Sequence, residues 1–361
     1  MSDLHLGALG ERWVLHAEPV RLRLFERVAR VDRLVLLGDL IELRQGPPRE
    51  VLRAAEPVLD GLREAVGASG EVVIVPGNHD HDLIEPWVTR ASRLREPDPL
   101  GLSSEVDWRA GETLATIARR LRPASVRVLY PGVWLRDDVY ATHGHYCDRH
   151  TTVPMFERLG AGAMARVVRE LDRGPRSAED YERVLAPIYA WISAIAARRG
   201  PEFGRSSHGP SARAWGALSR SRRPGEGRGA RVRSSVRRGA LRGGFGLAVG
   251  AINRLGLGPV RADLSTAQLR RASLVALDEV VVRLEVDAGW VIFGHSHRAG
   301  PLPDDDRSEW RARAGASILN SGCWVHERAF LGPDPARSPY RAGFAVQLGD
   351  TGPPELVNLL D

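Results

Sequence analysis

The chain has 361 residues, 43% hydrophobic and 27% charged, with a formal net charge of +6 and a sequence pI of about 9.9. That length can bury a large core, and the composition is that of a soluble globular protein. Two cysteines, Cys147 and Cys323, exclude a disulfide framework and a thiolate zinc site, and no apolar run approaches the roughly 18 residues needed to span a bilayer.

Residues 11–30 read as helical, kinked or split by Pro19. RLVLLGD (Arg33–Asp39) and EVVIVPGNHD (Glu71–Asp80) are Leu-rich or β-branched runs that close in turn residues, the pattern of buried strands. Between them, Val51–Val66 carries apolar residues at three- and four-residue spacing and predicts an amphipathic helix. Strand, helix, strand predicts a βαβ unit and a sheet with parallel pairs. A Pro- and acid-rich stretch over 95–112 leads to a short helix ending near Leu121. SVRVLYPGVWLRDDVYATHGH (Ser125–His145) then supplies two or three strands, the last being Val139–Thr142. From about 150 to 285 strand signals vanish, and helices are expected at 154–172, 178–198 and 265–285. They return at Trp290–His295, Ala316–Gly322 and Tyr340–Leu348. The expectation is an α/β core in two parts, 1–150 and 286–361, interrupted by a helical, partly Arg-rich insertion over 151–285.

The chain has no lysine, so every basic side chain other than histidine is arginine. Between Arg198 and Arg242 arginines recur every few residues, and the only acids are Glu202 and Glu226. Such a block suits phosphates, nucleic acid or a lipid surface; the plainer alternative is a solvated loop.

In an open α/β sheet, ligands bind beyond the carboxyl ends of the strands. Here the apolar runs end in polar residues beside glycines: Asp39, then Asn78 and His79, then His143, then His295 and His297. Asp3 and His5 in SDLH fit the same pattern, if a strand leads into it. Asp3, His5, Asp39, Asn78, His143, His295 and His297 form an oxygen and imidazole donor set without thiolate. That set suits manganese, iron or zinc, with manganese foremost, and is large enough for two ions sharing one carboxylate.

The ordered series Asp-x-His (Asp3, His5), Gly-Asp (Gly38, Asp39), Gly-Asn-His-Asp (Gly77–Asp80), His-Gly (His143, Gly144) and Gly-His-x-His (Gly294–His297) resembles the calcineurin-like metallophosphoesterases. NSGCW (Asn320–Trp324) also resembles a segment common after the last motif. The resemblance implies a four-layer α/β/β/α sandwich with a helical cap, its first strand truncated. It implies a metal-dependent phosphoric ester hydrolase, cleaving a phosphomonoester, phosphodiester or pyrophosphate bond by attack of a hydroxide shared between two metals. Asp3, His5 and His297 would hold the first metal, Asn78, His143 and His295 the second, and Asp39 would bridge them. His79 would face the substrate as a catalytic residue, and Glu42 would orient it. Asp80 is the competing orienting group, or else a helix N-cap. His81, His145, His150 and His326 read as structural or peripheral, as do the two cysteines.

Only Met1 and Ser2 precede Asp3, where relatives have a central strand. The expectation is a true start upstream, and in the chain as written a weak first metal site on a mobile tail. The start lacks a signal-peptide pattern, which suggests a cytoplasmic protein, with peripheral membrane contact as an option.

GDLIE and the large insertion are similar to the UDP-diacylglucosamine pyrophosphohydrolases. In GALRGGFGLAVGAINRLGLG (Gly239–Gly258), Leu241, Phe245, Ala248, Val249, Ile252 and Leu255 would share one helical face. The expected partners are a phosphate-ester substrate, an anionic lipid or membrane surface through 198–258, and, third, nucleic acid. Phe203 and Trp215 are the few aromatics among the arginines between Arg198 and Arg242, which is poor for base stacking. The alternatives to a general phosphoesterase are a lipid-linked nucleotide pyrophosphohydrolase at a membrane surface, a nuclease and, last, a non-catalytic scaffold.

Overall fold

A computed structural model describes residues 1–8, 10, 13–96, 98–153, 156–167, 174–199, 253–254, 259–261, 263, 265–328 and 330–361. The Arg-rich block 198–242 and the apolar segment Gly239–Gly258 lie outside the described residues, apart from 198–199 and 253–254.

The first unit is the expected strand, helix, strand. β1 (Arg33–Leu37) and β2 (Glu71–Val75) pair in parallel, Leu34 against Val72 and Leu36 against Ile74. Helices α1 (Glu18–Val28) and α2 (Pro48–Val66) pack on them. Pro19 does not split α1 but lies in its first turn, where its missing N–H forfeits no intrahelical bond. Pro48 likewise lets α2 begin a turn earlier than its apolar spacing suggests. Side chains alternate across the strands. Leu34, Leu36, Val72 and Ile74 pack with Leu24, Val58 and Leu62 of α1 and α2 and with Ile117 and Leu121 of α4 (Thr113–Leu121). Leu37, Val73 and Val75 belong to a separate cluster on the opposite face.

The curl of the sheet comes from β4 (Ser125–Arg136), a single strand of 12 residues. Its first part pairs in parallel with β2, and its second part antiparallel with β5 (Val139–Thr142), with a register shift between Trp134 and Arg136. β3 (Ser103–Glu105), inside the stretch expected to be a connection, pairs antiparallel with β4. β6 (Trp290–Phe293) and β7 (Ser317–Asn320) continue in parallel, giving the order β1-β2-β4-β5-β6-β7. Leu37, Val73, Val75, Leu129, Val133, Ala141, Ile292 and Leu319 form one cluster, so the two halves of this mixed sheet share an apolar face.

On the other side of the second half, α6 (Ala178–Arg199) and α7 (Thr266–Arg283) bring Tyr181, Leu185, Leu274 and Leu277 against Val291, Phe293 and Ile318. Short α3 (Glu85–Ala91) and longer α5 (Phe156–Val167) complete the described helices of this length. The chain closes in a hairpin of β8 (Phe344–Gln347) and β9 (Glu355–Asn358), the latter beyond the last strand expected. A trough of about 850 Å³ runs beneath Met1 between β1 and β8 and touches none of the expected metal ligands. Among the described residues, no helix is long and apolar enough to cross a membrane.

Candidate metal centre

All seven expected ligands come together at the carboxyl ends of the strands. Asp39 follows β1, Asn78 follows β2, His143 follows β5, and His295 and His297 follow β6. Asp3 and His5 reach the same point on a segment that runs beside the end of β1. Asp3 N–H donates to Gly38 C=O (3.0 Å), His5 N–H to Asp39 C=O (2.8 Å), and Leu6 forms a parallel bridge with Ile41. The expected mobile tail is therefore not found. Residues 2–6 are buried, and the Ser2 hydroxyl lies 2.8 Å from that of Ser321.

The donors divide into two groups around one carboxylate. Asp39 Oδ2 lies 3.6 Å from His5 Nε2, and Asp39 Oδ1 lies 3.4 Å from His143 Nε2. On the first side, His297 Nε2 is 3.3 Å from His5 Nε2 and 3.2 Å from Asp3 Oδ1. On the second, Asn78 Oδ1 is 3.2 Å from both His143 Nε2 and His295 Nδ1. Asp39 lies between the two sides, and donor atoms of Asp3, Asp39 and His143, and of His5, Asp39 and His79, also fall within 4.8 Å of one another.

The far side of each ring is also engaged. His5 Nδ1–H donates to Glu42 (3.0 Å), His143 Nδ1–H to Leu37 C=O (3.1 Å) and His295 Nε2–H to Asp148 (2.8 Å). Each such bond fixes which nitrogen keeps its proton and turns the opposite nitrogen into the pocket. His297 Nδ1 faces Glu327 at the longer distance of 3.7 Å.

The backbone is strained at the same residues. Asp3, His5, Asp39, His295 and His297 have φ between 44° and 63°, and the only other described non-glycine residue with positive φ is Glu285. A left-handed non-glycine residue costs about 1–3 kcal/mol and persists where the surroundings over-determine it, often at functional sites. Here glycines permit the close approach: a Cβ on Gly38 would fall 2.1 Å from His143 Nδ1, and one on Gly77 would fall 2.4 Å from Asp39 Oδ1.

The pocket's electrostatics favour positive charge. Burial opposes ionisation of Asp3, yet the charge and hydrogen bond of His297 outweigh it and lower the Asp3 carboxyl to about 2. Burial likewise opposes protonation of His143, but Asp39 prevails and raises it to about 10. His5 is raised against burial by Glu42 and Asp39, and His295 by Asp148. Asp3 Oδ1 is buried, with the His297 ring nitrogen 3.2 Å away. A buried carboxylate oxygen among converging imidazoles could hold a cation, and the absence of sulfur suits manganese, iron or zinc. The residues present fit two divalent ions.

His79 sits at the rim. Its side chain is 26% exposed, whereas those of His5 and His143 are at most 2% exposed. Its Nδ1 is 2.9 Å from Glu42 Oε1, so Glu42 spans both His79 and His5. Burial lowers the pKa of His79, against the opposing charges of Glu42 and Asp39. Glu42, not Asp80, bonds to His79 Nδ1, and the Asp80 side chain makes no cap bond to the helical turn that follows it. Its carboxylate accepts from the N–H groups of Gly77 and Leu40 (2.7 Å each) and of Ile41 (3.3 Å), tying the Asn78 loop to the Asp39 loop. Burial, then repulsion from Asp39, raises Asp80 to about 6.

His145 is buried and bonded to Tyr130, with its pKa lowered first by burial and then by His143. His81 pairs with Glu182 and His150 with Tyr181, so neither enters the pocket. Both cysteines are buried. Asn320 was legible only as part of NSGCW; its amide donates to Gly294 C=O and Ser296 Oγ (2.9 Å each), bracing the Gly-His-x-His loop. Asp148 and Glu327 were not anticipated, because a carboxylate that supports a ligand needs no fixed spacing from it.

Compared with known proteins, the chain matches no family model and no curated protein sequence.

Proposed function

We propose that the chain is a calcineurin-like, dinuclear metal-dependent phosphoesterase. The carrying observation is Asp39, whose two carboxylate oxygens face separate donor groups, Oδ2 toward His5 and Oδ1 toward His143. Asp3, His5 and His297 would hold one ion, and Asn78, His143 and His295 the other. Two ions so held supply Lewis acidity toward a phosphoryl oxygen and an activated water.

The chain's own residues do the rest. Glu42 accepts from His79 Nδ1–H and leaves Nε2 for a substrate oxygen. Burial disfavours the imidazolium in the free chain. Beside a bound phosphoryl anion, which favours it, His79 would carry a proton on Nε2 and offset phosphoryl charge or deliver that proton to the leaving oxygen. The braced Asn320 loop and the Asp80 tie hold the ligand loops in register, so the donors need little rearrangement on binding. The substrate class stands at a phosphate ester, since a pocket of this kind recognises the phosphoryl group and not what is attached to it.

The test is hydrolysis of p-nitrophenyl phosphate and bis(p-nitrophenyl) phosphate, with manganese and with chelator. Turnover that requires manganese and is lost in Asp39→Asn is expected. Equal turnover in chelator, or no loss in Asp39→Asn, overturns the proposal.

A further inference from the structure

Two polar tethers run from helix α6 of the insertion to the core. Tyr189 OH donates to Asp148 Oδ2 (3.2 Å), whose Oδ1 accepts from His295 Nε2–H (2.8 Å). One and a half to two turns earlier on the same helix, Glu182 accepts from His81 Nε2–H (2.9 Å), Tyr146 OH (2.8 Å) and Tyr130 OH. His81 lies three residues after Asn78, and Tyr146 three after His143. Asp148, Tyr189, Glu182, His81, Tyr146 and Tyr130 are all buried.

Both tethers end on the loops of one donor group, that of Asn78, His143 and His295. Neither tether bonds directly to Asp3, His5 or His297, whose supports are Glu42, Glu327, the backbone beside β1 and, for Asp3 Oδ2, the His295 backbone N–H (3.0 Å). A buried carboxylate that holds a ligand imidazole is a positioning group, and loss of such partners typically costs 10–100-fold in metal affinity.

We infer that α6 is a structural part of the second metal pocket: Asp148 positions His295, Tyr189 sets the rotamer of Asp148, and Glu182 anchors the loops that carry Asn78 and His143. The insertion thus does more than cover the core, and changes in it alter one ion and leave the other alone. This inference rests on the dinuclear reading above.

The experiment is a manganese titration of the full chain, by calorimetry and by electron paramagnetic resonance. Wild type is compared with Asp148→Ala, Asp148→Asn, Tyr189→Phe and Tyr181→Phe, with thermal unfolding followed in parallel. Wild type is expected to take two ions. Asp148→Ala weakens one of them about 10–100-fold and spares the other. Asp148→Asn, which keeps an oxygen for His295 Nε2–H, recovers part of the loss. Tyr189→Phe weakens the same ion by a smaller factor. Tyr181→Phe, on the same helix but bonded to His150, changes neither. If Asp148→Ala fails to fold, the nearly isosteric Tyr189→Phe decides alone. Two ions that weaken together, or do not weaken at all, overturn the inference while the dinuclear reading stands. Fewer than two ions in wild type overturns both.

Discussion

Glu42 joins His79 to His5: one buried carboxylate accepts from His79 Nδ1–H at 2.9 Å and from His5 Nδ1–H at 3.0 Å. A residue at the rim and a residue in the pocket are thus set by a single group. Burial works against the charge of Glu42, and the two imidazoles more than offset it, keeping its carboxyl below the usual range. Glu42→Gln should therefore act twice. Turnover falls about 10–100-fold, and manganese at the Asp3, His5 and His297 group weakens by a similar factor. Steady-state kinetics at saturating and limiting manganese separate the two effects.

The glycines around the pocket give a second prediction. Gly38→Ala places a methyl 2.1 Å from His143 Nδ1 at a φ of +83°, and Gly77→Ala places one 2.4 Å from Asp39 Oδ1. Neither clash is with the end of a flexible chain, so ligand side chains must move. Each substitution should cost about 1–3 kcal/mol in chemical denaturation and weaken manganese binding. Gly67→Ala has open space at its Cβ, so it bears only the strain of its φ of +68° and should leave metal binding unchanged.

Acid stability carries a third. The Glu182 carboxyl is disfavoured by burial but held below its ordinary value of 4.5 by the charge and hydrogen bond of His81. A carboxyl lowered in the folded state binds fewer protons there than in the unfolded chain. Its contribution is present above about pH 4.5 and is lost as pH falls through the folded value. Glu182→Gln should lower stability at neutral pH and flatten the loss of stability on acidification below that pH, as measured by urea unfolding across pH.

Much of the candidate site was legible because its residues sit where strands stop. Asp39, Asn78, His143, His295 and His297 each follow an apolar run, and the topology that gathers strand ends gathers them too. The role of Asp80 was not legible, because its partners are backbone N–H groups of Gly77, Leu40 and Ile41, whose directions are set only in the folded loops. Asp148 was missed because its partner His295 is 147 residues away. β3 escaped because three residues are too short to set a periodicity, and β9 because its two apolar residues, Leu356 and Val357, are adjacent and show no alternation. The opening residues ran the other way. SDLH looked like a tail by position, but its backbone is bonded along the end of β1 and its side chains are buried.

The central claim is that Asp39 is shared between two ions. The most direct measurement is a manganese titration of wild type and Asp39→Asn, read by the exchange coupling in the electron paramagnetic resonance spectrum. The account predicts two ions per chain with a coupled spectrum in wild type, and loss of both coupling and tight binding, by at least about 100-fold, in Asp39→Asn. A single ion, or two uncoupled ions indifferent to Asp39→Asn, would contradict it.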